Sequence, residues 1–577
     1  MFLSMVPSAN SAADKKIITF TLFTSALVFL FFLLPRLSEP ILGWGLSFFD
    51  MAKDIISGNL KAVDYYYDFP FYSFLIALGF KLFGIKEFSA YLIGILSVLM
   101  VPAVIHFTTK EISEKNIRLP VSLIAITLFI TCPAAVQGAL VIDKADTHVF
   151  LLVISLFYLF LFKTEGYPFW RRIAALAVLY CLCLFAKFST SLVCLVSVPF
   201  VYWISKKIRE GVNTLLCFFA AVVGFIAIWA AFCYYMAGTD RFLLPFLSYA
   251  SSAQGFFPGF SLKIDFLKRL PLNIVYISFW FSPFLLILSF LAIFDLFKKI
   301  FSERDFKREL QLASFTLLVF LFYLYTNPLM AAFPKYVIPV LPFCCCLIAI
   351  FAINKLKGLL DLKSLIVLAI LLFIGIIYYR LLVGDCLYSL FLLREAKLNG
   401  EAGRMFLSFG YQQVLFFLFP VLIFVISLKF MAMPLFSRFV CILLVSLFAS
   451  NVSLCLIQRK ADYSVNYSYG AKGAQEVKEF LQGYPGAEVF TSHEGFIANL
   501  EKVKFKGVDP EQYTTTADFL NFMHSSSPEI FIYGITSNTV RQIREVISAP
   551  VVTAYLDKHY KRFERGSYNI LVKHGNL

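Results

Sequence analysis

Apolar and polar positions fall in long alternating blocks along this chain. An apolar run from Ile17 to Leu34 follows Lys15 and Lys16. Further runs lie at about 88–107, 119–141, 147–163, 172–187, 189–205, 212–236, 272–297, 312–326, 336–353, 361–380, 411–429 and 437–457. Most approach the ~20 residues a helix needs to cross ~30 Å of hydrocarbon. The pattern predicts a mainly α, polytopic membrane bundle of about 13 spans. No small-residue cleavage site follows Leu34, so the first run reads as a retained span, not a signal peptide.

Two departures from this rhythm are informative. The first is the segment Leu37–Gly84, too polar to cross a bilayer and too patterned for an idle loop. In FFDMAKDIISG, Asp50 and Asp54 stand at i, i+4 among apolar Phe49, Met51, Ile55 and Ile56. That spacing predicts a short amphipathic helix lying on the membrane and ending at Gly58. DFPFYSFLIALGFKLFG predicts a second membrane-skimming helix opened by Pro70. The second departure begins near Gln458. There GAQEVKEFLQGY, TADFLNFMHSS and TVRQIREVIS read as helices, and AEVFTS, PEIFIYGI and YNILVK as strands. Alternating strands and helices predict a small α/β domain. The chain thus divides into a membrane domain, 1–457, with its first external loop at 36–87, and an extracytoplasmic domain, 458–577. The tail has no Gly-rich phosphate loop, and no cofactor is assigned to it.

Composition refines this picture. The formal charge of +15 would suit nucleic acid in a soluble protein. Here the positive residues cluster in alternate loops: Lys110/Lys115/Arg118, Lys163/Arg171/Arg172, Lys206/Lys207/Arg209, Lys298/Lys299/Arg304/Lys307/Arg308 and Lys355/Lys357/Lys363. Positive residues mark cytoplasmic loops, so topology absorbs the excess and no nucleic-acid partner is expected. The same rule puts the Leu37–Gly84 segment and the tail outside. The 12 cysteines fall mostly within apolar runs and none lies beyond Cys455, which argues against a disulfide framework in the tail. The Cys344-Cys345-Cys346 run is not a metal site, since successive helical residues face different ways. No internal repeat or matched pair of Gly/Pro-interrupted spans suggests an inverted-repeat carrier.

Ionisable residues at the outer ends of spans are the candidate chemistry, because charge within a membrane is expensive and usually functional. GALVIDKADTHVFLL places Asp143 and Asp146 at i, i+3 before the fourth span, with His148 beside them. The bland alternative is an acidic helix cap. LCLFAKFSTSLV sets Lys187 between two apolar runs, followed by Ser189, Thr190 and Ser191; the alternative is a snorkelling lysine. PKYVIPVLP places Lys335 and Tyr336 at a helix entrance, where they could meet an anionic headgroup or serve as an interfacial anchor.

In order and sidedness, the two loop helices, the Pro-led FPFYSFLIALGFKLFG, the acidic turn, the LFAK turn and the PKYVIPVLP entrance resemble the membrane glycosyltransferases of the C superfamily. The branch they resemble is that of protein O-mannosyltransferases and lipid A aminoarabinose transferases, over about residues 15 to 350. The resemblance implies a polyprenyl-phosphate-linked sugar donor and a catalytic Asp in the first external loop. By position that role passes to Asp50, and a second acidic role to Asp146, with Asp143 as alternative. Lys187, Lys335 and Tyr336 fall where such proteins meet the donor phosphate. The chain departs from the family pattern in two places. Trp44 and Gly45 stand near the position of an Asp-Glu pair, and Asp68-Phe69-Pro70 replaces Lys-Pro-Pro. Asp54, Asp64 and Asp68 therefore stay open as carboxylate candidates.

The expected activity is sugar transfer from polyprenyl phosphate to a lipid, glycan or protein acceptor at the outer membrane face, in a bacterial inner membrane with the active side periplasmic. No metal is assigned, and a divalent cation held by the carboxylates and His148 is the alternative. Competing readings are an oligosaccharide transferase of related architecture, a transporter or lipid-linked-sugar flippase, and a membrane scaffold whose tail binds a partner.

Overall fold

The computed structural model describes residues 12–37, 44–61, 69–140, 148–164, 167–247, 277–278, 280–299, 307–326, 335–356, 361–398, 402–459, 474–491, 504–507, 515–534, 546–565 and 568–575. It is a mainly helical bundle with one small sheet near the C-terminus. Among the described residues, seven helices are long and apolar enough to cross a membrane, and shorter apolar helices lie between them. Each apolar run has a helix within it, but the 119–141 run is broken. Helix α5 (Arg118–Thr131) stops at Cys132, whose backbone is extended ahead of Pro133, and a short α6 (Pro133–Gly138) restarts the chain.

The two loop helices form as their patterns predict. Helix α2 (Trp44–Ile56) buries Phe48, Phe49, Met51 and Ala52 and leaves Asp50 exposed. It ends before Gly58, whose φ of 77° is the left-handed conformation that glycine takes without a Cβ penalty. Helix α3 (Phe71–Phe83) opens after Pro70. The two pack directly: Phe49 meets Phe80 edge-on at 4.6 Å and Phe48 meets Tyr72 at 6.2 Å.

The main membrane helices that follow are α4 (Glu87–Ile112), α7 (His148–Lys163), α8 (Phe169–Ala186), α9 (Phe188–Ile204), α10 (Ile208–Phe232), α11 (Pro283–Lys299), α12 (Lys307–Thr326) and α13 (Leu341–Leu356). The positive residues gather at one end of this bundle. Lys307 pairs with Glu210 at 3.1 Å, and Arg308 reaches Glu111 at 3.5 Å and the Phe162 carbonyl. Asp295 sits between Lys299 at 2.5 Å and Lys355 at 2.7 Å. These are the ends of α4, α7, α11 and α13 and the starts of α10 and α12, so the described residues of the basic clusters gather at one end. The LFAK turn and the PKYVIPVLP entrance lie at the opposite end.

Beyond α13 come α14 (Leu362–Leu398), α15 (Ala402–Phe430) and α16 (Leu435–Gln458). The first continues beyond the C-terminal end of its apolar run and the second begins before the N-terminal end of its run, with Gly384 and Gly410 inside the helices.

The C-terminal sheet runs in the order β2 (Lys504–Gly507), β1 (Glu488–Thr491), β3 (Ile530–Gly534), β5 (Tyr568–Lys573), β4 (Tyr560–Arg565). Strands β2, β1 and β3 are parallel, and β5 and β4 add as antiparallel neighbours. Period-two alternation fills both faces. Val489, Ile530, Ile532, Ile570 and Val572 meet Val477 and Leu481 of α17 (Ala474–Gln482). Phe490, Phe531 and Leu571 meet α18 (Thr516–Ser526) and α19 (Pro550–His559). Lys478 of α17 forms an ion pair with Glu87 at the start of α4, tying this domain to the bundle. Of the strands and helices expected in the tail, 539–548 lies mostly outside the described residues.

Candidate active site

The central feature is the break between α8 and α9. Lys187 leaves helical geometry with φ −157° and ψ 94°. Its turn is held from both sides: Lys187 N–H donates to the Cys183 carbonyl, Ser191 Oγ donates to the Lys187 carbonyl at 2.7 Å, and Tyr180 Oη donates to the Ser191 carbonyl at 2.8 Å. The Lys187 side chain is only 4% exposed, so it does not snorkel to water. Its Nζ lies 5.1 Å from the ring centre of Tyr336, within cation–π range.

Tyr336 in turn stacks on Tyr323, with centres 5.1 Å apart and planes at 18°. The Tyr323 hydroxyl meets Thr190 Oγ1 and, at 3.3 Å, Ser189 Oγ. Three distant segments thus converge: the α8–α9 turn, the end of α12, and the 3₁₀ turn Lys335–Val340. One ammonium and several hydroxyls in a shielded place form a donor set suited to phosphate oxygens. The backbone of Lys335 belongs to this turn, and its side chain lies outside the described residues.

A wall of aromatic rings stands beside Lys187. Phe69 packs edge-on against Phe185, Phe225, Trp229 and Phe246 at 4.8–6.1 Å, and tilted against Phe188 at 6.0 Å. Such pairs contribute ~0.5–1.5 kcal/mol each beyond buried area, so the first external loop is firmly pinned to the α8–α9 turn just before Pro70. The Phe69 ring thus serves as an anchor just before Pro70.

The carboxylate candidates divide. Asp50 is exposed on α2 and forms an i, i+3 ion pair with Lys53 at 3.2 Å. A surface pair of this kind is weak and leaves the carboxylate open to an incoming group. Asp54, one turn on, is half-buried. The described contacts connect Asp50 to Lys187 through α3 and Phe69, without bringing the two side chains together. Asp64, Asp68, Asp143 and Asp146 lie outside the described residues. His148, at the first turn of α7, is fully buried, and its Nε2–H donates to the Ala135 carbonyl at 2.7 Å. A Cβ on Gly138 would stand 2.3 Å from the imidazole Cε1, so only glycine lets the ring close on α6. No cluster of three or more His, Cys, Asp or Glu occurs among the described residues.

Tyr323 and Phe69 escape sequence reading. Tyr323 looks like any interfacial tyrosine in YLYTNP, and Phe69 is one of 68 phenylalanines.

No protein-family model matches the chain, and no curated protein matches it. Among solved structures, the chain shares its fold with ArnT. The similarity is to ArnT from Cupriavidus metallidurans bound to undecaprenyl phosphate, with 13% identity and a TM-score of 0.55 over 98% of this chain and 99% of that one. The apo state of the same ArnT aligns over equal shares, with 12% identity and a TM-score of 0.51. The oligosaccharyltransferase of Archaeoglobus fulgidus aligns with 11% identity and a TM-score of 0.44 over 94% of this chain and 73% of that one.

Proposed function

We propose that this protein is an integral membrane glycosyltransferase that moves a sugar from a polyprenyl-phosphate donor to an acceptor at the outer membrane face. The observation that carries this reading is the full-length likeness to a transferase solved with undecaprenyl phosphate, in a chain that buries a lysine against a tyrosine at one bundle end. The donor's lipid tail lies in the bilayer and its phosphate meets Lys187, Tyr336 and Lys335. Asp50, held outward by the buried face of α2, accepts the proton of the acceptor hydroxyl. The acceptor oxygen forms its bond to the anomeric carbon while the bond from that carbon to the phosphate oxygen breaks. The electron pair leaves with the polyprenyl phosphate. Lys187 meets the charge that grows on the leaving oxygen, in a shielded site where electrostatic stabilisation is strongest. General-base assistance of this kind contributes ~10²–10⁴-fold. Asp146, or Asp143, orients the acceptor.

The basic end of the bundle faces the cytoplasm by the positive-inside rule, which sets the Lys187 end and the C-terminal domain on the periplasmic side of a bacterial inner membrane. The test is binding of radiolabelled undecaprenyl phosphate to the purified protein in nanodiscs. Saturable binding that Lys187→Met weakens is the expected result. Absence of saturable binding across polyprenyl chain lengths would instead favour a transporter.

A further inference from the structure

The break at Lys187 has no local cause in the sequence. From Tyr180 to Ser191 the chain reads YCLCLFAKFSTS, without Gly or Pro, and Ala and Lys are strong helix formers. Lys187 is also a poor N-cap for α9, since an ammonium cannot accept hydrogen bonds from the helix's first N–H groups. The extended residue between α8 and α9 is therefore imposed by bonds made across the turn. One of these bonds is specific to the folded-back chain. The Tyr180 hydroxyl donates to the Ser191 carbonyl at 2.8 Å. In an uninterrupted helix these residues stand about 16 Å apart along the axis, beyond the reach of one tyrosine. The bond thus forms only when α8 and α9 reverse direction at Lys187. Ser191 Oγ completes the lock by donating to the Lys187 carbonyl at 2.7 Å, which fixes a peptide plane adjoining the lysine side chain.

The Tyr180 ring is itself clamped. It is fully buried, with the ring centres of Phe218 and Phe157 at 4.4 Å and 5.6 Å. Tyr180 precedes Lys187 by about 10 Å along α8, so its hydroxyl, spent on Ser191, does not meet a phosphate held at Lys187. Nor does Tyr180 line the apolar cavity of about 500 Å³ between α3, α8 and α10, whose α8 wall is Ala177, Val178, Cys181, Leu182 and Phe185. What the hydroxyl does is hold the turn.

Resting on the transferase reading, we infer that Tyr180 is a positioning residue for the donor phosphate, acting through Lys187. By tying the two arms of the α8–α9 hairpin behind the turn, its hydroxyl keeps the Lys187 ammonium over Tyr336. The turn is then ordered before the donor arrives, and binding does not have to supply that ordering.

Tyr180→Phe isolates this role, since the ring and its packing stay and only the hydroxyl goes. The Ser191 carbonyl keeps its helical donor within α9, so no buried acceptor is orphaned and the variant folds. Polyprenyl phosphate is titrated in nanodiscs against the native protein, Tyr180→Phe, Lys187→Met and the double variant. In parallel, acylation of Lys187 by a small amine-reactive reagent is followed by mass spectrometry, with Lys163 at the far end of α7 as control. Losing one hydrogen bond that restrains the turn should weaken donor binding about fivefold and raise Lys187 acylation by about the same factor, with Lys163 unchanged. In the Lys187→Met background Tyr180→Phe should have no further effect on binding, because the group it positions is gone. A tyrosine that serves packing alone behaves otherwise: affinity falls by the same factor in both backgrounds, or Lys187 acylation stays at the native rate. Either result would overturn the inference. Failure of the native protein to bind polyprenyl phosphate would overturn the donor reading instead, and the acylation readout, which needs no donor, still decides whether Tyr180 holds the turn.

Discussion

Replacing Lys187 with Met tests the heart of the site. Methionine fills much of the same volume and removes the charge. On the stability side two effects oppose. The loss of the cation–π contact with Tyr336, at 5.1 Å, removes ~0.5–2 kcal/mol. Relief of a charge held at 4% exposure returns part of the several kcal/mol that burying an ion costs. The unfolding midpoint should therefore stay within a few degrees of the native value. On the proposed reading nothing offsets the loss on the catalytic side: the cation assigned to the leaving phosphate is removed, and losing one such contact typically lowers turnover about 10²–10³-fold. The assay is release of polyprenyl phosphate from a radiolabelled polyprenyl-phosphate sugar by protein in nanodiscs, with thermal unfolding as the control for folding. A Lys187→Met protein that unfolds normally and keeps turnover within about threefold, against the 10²-fold loss expected of an electrostatic contact, would refute the argument that this lysine meets the phosphate.

Other expectations follow from the same geometry. Tyr323→Phe removes the hydroxyl that meets Ser189 and Thr190 and should weaken donor binding about five-fold, the effect of one hydrogen bond of ~1 kcal/mol, read by titration with polyprenyl phosphate. Gly138→Ala drives a methyl into the His148 ring at 2.3 Å and should cost ~1–3 kcal/mol of stability, partly recovered in the Gly138→Ala/His148→Ala double variant when both are unfolded thermally. The Asp361 carboxyl, at the start of α14, is held below its ordinary value by hydrogen bonds from the side chain and backbone of Ser364. Its contribution is therefore present above the unfolded carboxylate value of about 4 and fades as pH falls through the lower folded value. Native protein and Asp361→Asn should converge in unfolding midpoint as the pH is lowered past that range. Thr515→Ala removes the side-chain cap on the Asp518 N–H and should destabilise the C-terminal domain by ~1 kcal/mol, measured by hydrogen exchange in α18.

How far the sequence reveals this molecule depends on the range of the interaction. The membrane helices, α2 and α3 are legible because their signals are local: an apolar stripe, Pro70 at an entry, Gly58 at an exit. In the tail β1, β3 and β5 are legible too, as short runs rich in β-branched and aromatic residues. The strands β2 and β4 are not, since KFKG and YKRFER carry charge at every second or third position and exist as strands because a neighbour pairs with them. Helix α19 is hidden for a related reason, running straight into β4 at Tyr560 with no turn residue between. At the site, Lys187 and Tyr336 are each conspicuous as isolated polar residues among apolar ones. Their contact, the Tyr323 stack and the Phe69 ring wall join segments far apart in the chain, and no local pattern encodes which segments meet. The apolar cavity between α3, α8 and α10 is the plainest case, since nothing in the run that carries Ala220, Ala221 and Gly224 shows that Ala177 and Cys181 of α8 line the same space.

The central claim is sugar transfer from a polyprenyl-phosphate donor with Asp50 as base. It is tested most directly by incubating purified native protein and Asp50→Asn with radiolabelled polyprenyl-phosphate sugars in vesicles of total membrane lipid. Free polyprenyl phosphate should appear with the native protein and fall ~10²–10⁴-fold with a well-folded Asp50→Asn, while donor binding stays equal in the two. Donor bound by neither, or sugar released by both at the same rate, would contradict the account.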